Sequence, residues 1–288
     1  MSVPGLPDLT GNTYIVTGAN SGIGFEAAQK LATAGGHVVL AVRDVVKGQA
    51  AAAKIAGSTE VRALDLADLA SVRAFASAWD QPITALVNNA GIMMVAEGRT
   101  VDGFERQLGT NHFGHFALTN LLLPRVTGRV VTVSSGLHNG PQVDFDNLDL
   151  DGTYKPTRAY QQSKLANLLF TAELQRRLAA AGNPVVAHAC HPGYSATNLQ
   201  SHHANPLMNK VMWLSNKVIA TSAEFGSRPT VHAVVAELPP ASYIGPTGFQ
   251  GLRGAPGSNK RSAQAHDHDA AARLWTISEE RTGVTWPL

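Results

Sequence analysis

The chain has 288 residues, 44% of them hydrophobic, and a formal net charge of +2. That length and apolar share suit one α/β domain with a sizeable core, and so small a charge, with no basic run, excludes a nucleic-acid footprint. The single cysteine, Cys190, excludes an intrachain disulfide framework, and with no signal-peptide pattern in residues 1–13 and no apolar run near the ~20 residues of a membrane span, a soluble, cytoplasmic protein is expected.

Taken in order, Tyr14-Ile15-Val16 reads as a buried strand and Phe25 to Ala34 as a helix. Ile23, Ala27, Ala28, Leu31 and Ala32 fall near a 3.6-residue period. Between the two stands Thr17-Gly18-Ala19-Asn20-Ser21-Gly22-Ile23-Gly24. Strand, glycine turn and helix form the geometry of a dinucleotide site. Glycines let the backbone approach a pyrophosphate, and the helix N-terminus offers free N–H groups and partial positive charge. The spacing is G-x-x-x-G-x-G, and a bland turn is the alternative. Gly18, Asn20, Ser21, Gly22, Ile23 and Gly24 are the candidate cofactor residues here.

His37 to Val42 is a β-branched run, read as the second parallel strand. Arg43 ends it, and Asp44 comes only afterwards. An acid near this place binds a ribose 2′-hydroxyl, whereas an arginine accommodates a 2′-phosphate. Arg43 therefore points to NADP rather than NAD, the alternative being a solvated arginine at a helix start. Val45 to Ala56 reads as a helix. Val61 to Leu66 reads as a third strand ending at Asp65, a candidate neighbour of the adenine together with Leu66, or else a turn-forming Asp. Ile83 to Val87 is a fourth strand that runs into Asn88-Asn89-Ala90-Gly91, a loop shaped around a ligand or a plain turn.

Gly103 to Leu123 carries a long helical pattern with Asn111 inside it. Asn is a poor mid-helix residue, so it is a candidate for chemistry, with a surface Asn the alternative. Arg129 to Ser134 is a fifth strand, followed by Ser135. Residues 136–158 are rich in Gly, Pro, Asp and Asn and read as irregular. A helix over Ala159 to Ala181 and a sixth strand over Val185 to Ala189 lead to His191-Pro192-Gly193. Repeated strand–helix alternation argues a single doubly wound parallel sheet, a Rossmann-type α/β domain over 1–288 with helices on both faces. Residues 194–220 break the pattern and read as a lid over the site, a membrane-surface helix or ordinary packing. Ser222 to Glu237 reads as a helix that Pro229 complicates, Tyr243-Ile244-Gly245 as a short strand, Leu252 to Ser262 as a surface loop, and Asp269 to Glu280 as a terminal helix. His266-Asp267-His268-Asp269 is read as a solvated helix start, and no metal site is expected.

Tyr160 and Lys164 lie four apart on one helix and so share a face. An ammonium beside a tyrosine favours the phenolate and makes the phenol a usable acid/base. Ser135, at the end of the fifth strand, is placed to hydrogen-bond a carbonyl oxygen near that phenol.

With these residues in view the sequence resembles the short-chain dehydrogenase/reductase family. The resemblance runs over residues 11–200 and rests on Thr17-Gly18-x-x-x-Gly22-Ile23-Gly24, Asp65, Asn88-Asn89-Ala90-Gly91, Asn111, Ser135, Tyr160-x-x-x-Lys164, and Pro192-Gly193 with Thr197. Ala41-Val42-Arg43-Asp44 and Thr110-Asn111-His112-Phe113-Gly114-His115-Phe116 are similar to its retinol-dehydrogenase-like branch, which also includes protochlorophyllide reductases. The resemblance implies an oxidoreductase that interconverts a carbonyl and an alcohol with NADP(H). Tyr160 would exchange a proton with the substrate oxygen, Ser135 would position that oxygen, and Lys164 would lower the Tyr160 pKa and hold the nicotinamide ribose. Asn111 would hold a water in a proton relay. Pro192, Gly193 and Thr197 would flank the nicotinamide, and Asn88, Ala90 and Gly91 would lie along the cofactor. Asn20-Ser21 stand where many NADP-using members carry a basic residue, which leaves the 2′-phosphate mostly to Arg43. Met93, Met94, His138, Met208 and Trp213 are candidates for an apolar substrate pocket or for ordinary packing. The family's habit of pairing through two long helices suggests a homo-oligomer here, with Leu165, Leu168, Leu169 and Leu174 supplying the surface unless the subunit's own sheet or tail covers them. The rival reading is a cofactor-binding sensor or scaffold with little turnover.

Overall fold

A computed structural model of the chain describes residues 5–193, 222–248, 251 and 253–288. Eight strands form one sheet: β1 (Thr13–Thr17), β2 (His37–Val42), β3 (Ser58–Ala63), β4 (Ile83–Asn88), β5 (Val126–Val133), β6 (Val186–Cys190), β7 (Tyr243–Pro246) and β8 (Pro256–Ser258). Their order across the sheet is β3-β2-β1-β4-β5-β6-β7-β8. All neighbours are parallel except β7 and β8, which are antiparallel. The order reverses between β1 and β4, and a crevice at the carboxyl ends of such strands is where α/β sheets bind ligands.

The central strands β1, β2, β4 and β6 are largely buried on both faces because both are covered. In β1, Ile15 joins the core shared with the helices of one face, while Tyr14 and Val16 join the core of the other. The first face carries α3 (Leu69–Ser77), α5 (Gly114–Leu122), α6 (Pro156–Ala180) and α8 (His268–Thr282), with Phe113, Phe116, Leu168 and Trp275 at its centre. The second carries α1 (Gly22–Thr33) and α7 (Ala223–Val235), with Leu31, Val38, Leu40 and Val231. Side chains cap the helices where the chain turns in: Asp44 accepts the N–H of Lys47 at the start of α2 (Val45–Ala52), Asp68 accepts those of Ala70 and Ser71, and Asp267 that of Ala270. The cap by Asp267 lies within the 266–269 run, where α8 starts.

Four expectations shift. The third strand begins earlier and stops at Ala63, so Asp65 lies in the loop beyond it. The helix read over Gly103 to Leu123 starts at Arg106, where Glu105 caps α4 (Arg106–Leu108), widens into a π-turn over Gly109–Phe113 and resumes as α5. The tail read as a surface loop supplies edge strand β8. Leu165, Leu168, Leu169 and Leu174, offered above as an oligomer surface, are at most 1% exposed in the single chain. They belong to the core that includes Leu274 and Trp275 of α8, so the subunit's own tail covers that face. Among the described residues no helix is long and apolar enough to cross a membrane.

Candidate active site

A cleft of about 840 Å³ opens at the carboxyl ends of the central strands. The residues expected there from the sequence line it in large part: the turn from Gly18 to Gly24, then Arg43, Asp65, Leu66, Ala90, Gly91, Ser135, Tyr160, Lys164, Pro192 and Gly193. Thr197, Met208, Trp213 and the 194–220 segment lie outside the described residues.

The glycine turn is built for close approach. Gly18 has φ +66°, and a Cβ there would sit 3.0 Å from Ala90. A Cβ on Gly24 would sit 2.7 Å from the Gly18 carbonyl oxygen. Any larger residue at either position pushes turn, helix and the 88–91 loop apart. Ser21 precedes α1 without a side-chain cap, and the first turn of the helix holds no acid. Its N–H groups are therefore left to a ligand, and an anion is the ligand they suit. At the far end of this wall Arg43 is exposed and pairs with no carboxylate among the described residues. Asp44 is occupied: besides capping α2 it pairs with Lys47 Nζ at 3.1 Å. An uncapped helix start and glycines that exclude a Cβ fit a dinucleotide.

The other end of the cleft holds the titratable groups. Tyr160 and Lys164 project from α6, whose N-terminus Pro156 starts. Burial pushes the Tyr160 phenol up to about 12, with the Ser135 hydroxyl opposing that shift. Burial also brings the Lys164 ammonium down to about 8. Its Nζ donates to the Val133 carbonyl at 3.0 Å and lies 5.7 Å from the centre of the Tyr160 ring. Burial is the largest cause of both shifts, because the charged form of each group loses water there.

Two asparagines stand elsewhere than expected. The Asn88 side chain is fully buried and donates to Thr119 Oγ1 at 2.9 Å and more distantly to Thr132 Oγ1, so it ties β4 to α5 and β5 rather than lining the cleft. Its neighbour Asn89 reaches the lining instead. Asn111 is also fully buried, and its side chain turns to Ile92 and Ser163. Oδ1 accepts the N–H of Ile92 at 2.9 Å, and Nδ2 donates to Ile92 O at 3.0 Å and Ser163 Oγ at 2.9 Å.

Residues the sequence reading passed over complete the substrate end. Tyr243 of β7 lies within 3.3 Å of the Ser135 carbonyl, and Asn259 and Lys260 line the cleft from beyond β8. His191 accepts the N–H of Gly193 through Nδ1 at 3.2 Å and bonds Asn259 Oδ1 through Nε2 at 3.3 Å, which holds the Pro192-Gly193 turn. No local signal marked them, because only the sheet order brings β7 and β8 beside β6. Met93, Met94, Val95 and Leu137 give this end an apolar wall.

The sequence profile described as short chain dehydrogenase matches residues 12–206. Human retinol dehydrogenase 12 is 39% identical over 96% of this chain and 88% of its own. Among solved structures, an uncharacterized protein from Mycobacterium paratuberculosis is 48% identical, with TM-score 0.87 over 100% of this chain and 99% of that one. A Beutenbergia cavernae protein named for NAD(P)-dependent gluconate 5-dehydrogenase, solved with NADP at low occupancy, is 26% identical, with TM-score 0.61 over 79% and 91%. The chain belongs to the short-chain dehydrogenase/reductase family of oxidoreductases, in its retinol-dehydrogenase-like branch.

Proposed function

We propose that the protein is an NADP(H)-dependent oxidoreductase that interconverts a carbonyl and an alcohol on an apolar small molecule. The observation that carries this reading is one continuous cleft with an anion-ready glycine turn and Arg43 at one end, and Ser135, Tyr160 and Lys164 under an apolar wall at the other. When bound, the nicotinamide supplies or accepts the hydride. Gly18 to Gly24 and the start of α1 hold the pyrophosphate, Arg43 the 2′-phosphate, and Asp65 and Leu66 border the adenine. Lys164 and the Pro192-Gly193 turn hold the nicotinamide end.

Ser135 orients the substrate oxygen, and Tyr160 exchanges a proton with it. In reduction Tyr160 donates its proton to the carbonyl oxygen, and in oxidation it takes one from the alcohol. The likeness to retinol dehydrogenase 12, together with Met93 and Met94, puts long lipid-like aldehydes first among substrates. NADPH oxidation against medium and long aldehydes, ketones and quinones is the test. Turnover strongest with long apolar carbonyls is expected. NADPH binding with no turnover on any of them would leave the sensor reading in its place.

A further inference from the structure

His115 does not line the cleft. It sits in α5, 1% exposed, one turn beyond Asn111. Its Nδ1 is 3.0 Å from the Asn111 carbonyl oxygen. A carbonyl only accepts, so Nδ1 carries the hydrogen. Burial holds the ring down to about 4, so it is neutral and its Nε2 is an acceptor. Nε2 lies 2.9 Å from Thr17 Oγ1, so the Thr17 hydroxyl donates to it. The competing acceptor, Val87 O, is farther from that hydroxyl at 3.3 Å.

The oxygen of Thr17, its hydrogen so engaged, accepts the backbone N–H groups of Asn89 and Ala90, both at 2.9 Å. Asn111 holds the other end of the same loop through both the N–H and the C=O of Ile92. The two anchors of the Asn89–Ile92 loop thus bond to opposite nitrogens of one imidazole. That loop is the wall facing the glycine turn: Ala90 abuts Gly18, and a Cβ at Gly91 would lie 3.5 Å from Lys164 Nζ.

We propose that His115 is a positioning residue that sets the separation of the two walls of the cofactor cleft, by holding the Thr17 hydroxyl and the Asn111 carbonyl at once. This rests on the cofactor reading above, and His115 itself touches neither cofactor nor substrate. A residue that only filled space in α5 would need neither nitrogen to be engaged. Among the described residues no other side chain bonds to both anchors.

His115→Phe keeps a planar ring and removes both hydrogen bonds, whereas His115→Gln restores one donor and one acceptor. In the ligand-free H115F protein, hydrogen exchange of the peptide over residues 88–92 is expected to quicken. Its Kd for NADPH, read by fluorescence titration, is expected to rise about tenfold, as the loss of buried hydrogen bonds implies. H115Q is expected to recover most of both. A lowered Tm with exchange over 88–92 and NADPH Kd unchanged would overturn the proposal, as would a Gln variant no better than Phe. Should H115F fail to fold, Thr17→Val cuts the same chain at the hydroxyl. A higher NADPH Kd in T17V is then expected, and a wild-type Kd overturns the proposal. Tight wild-type binding that survives these changes defeats the positioning role alone, whereas a wild type that binds neither NADPH nor NADH defeats the cofactor reading and this proposal together.

Discussion

Arg43 and Asp44 are adjacent after β2, and their surroundings separate their roles. Asp44 is held by the N–H and Nζ of Lys47, so it is a helix cap, and Arg43 is the charge that faces the cleft. Arg43→Glu is expected to raise the Kd for NADPH by about 10- to 100-fold, the worth of a charge-assisted hydrogen bond, with a smaller change for NADH. Titration of both cofactors against both proteins checks it, and equal wild-type affinity for the two would count against the 2′-phosphate role. Tyr160 is tested by Tyr160→Phe, which removes one oxygen from a buried ring. Turnover is expected to fall by about 10²- to 10⁴-fold, the usual share of a positioned proton donor, while the NADPH Kd stays near wild type. A comparable loss of cofactor binding would mean that the phenol holds the cofactor rather than moves a proton.

At the scale of elements, the π-turn over Gly109–Phe113 and the terminal helix α8 decide most. The π-turn interrupts what periodicity reads as one long helix. Such turns are uncommon and tend to fall at functional sites, and here Asn111 grips Ile92 from inside it. His112, from the same turn, bonds Ser278 Oγ of α8 at 2.9 Å. Trp275 of α8 stacks on Phe170 at 5.8 Å and meets Phe116 edge-on at 4.9 Å, with the Arg177 guanidinium 4.5 Å above it. α8 is thus part of the core under the sheet. Trp275→Ala is expected to cost about 3–5 kcal/mol, read as a lower urea midpoint with NADPH binding retained in the folded fraction. A loss below about 1 kcal/mol would mean that the tail docks only loosely.

At the scale of the whole molecule, buried histidines give the fold an acid limit. Burial holds His112 near 3 and His115 and His188 near 4, below the usual value of 6.5. The unfolded chain protonates them below about 6.5 and the folded one does not, so between roughly 6.5 and 4 protons favour unfolding. Stability from these groups is present above pH 6.5 and declines as pH falls, by about 1.4 kcal/mol per pH unit for each fully suppressed histidine. Urea midpoints at pH 7.5, 6.0 and 5.0 should therefore decrease in that order. A flat series would mean that the histidines reach solvent.

The Thr17 to Gly24 turn, Arg43, Ser135, Tyr160 and Lys164 were legible because each is set by local rules: a glycine turn between strand and helix, a residue at a strand end, two side chains one helical turn apart. The parallel sheet was legible for the same reason, since alternating apolar runs report burial on both faces. The sequence could not show that Asn88 and Asn111 turn their side chains into the protein, because their partners Thr119, Thr132, Ile92 and Ser163 are far away along the chain. Nor could it show that burial raises the Tyr160 phenol, since desolvation depends on what closes over it. The α6 leucines, read as surface for a second copy unless the subunit's own sheet or tail covers them, meet Leu274 and Trp275 only because α8 folds back over them. Periodicity states which residues must be buried; only the packing of distant segments decides what buries them.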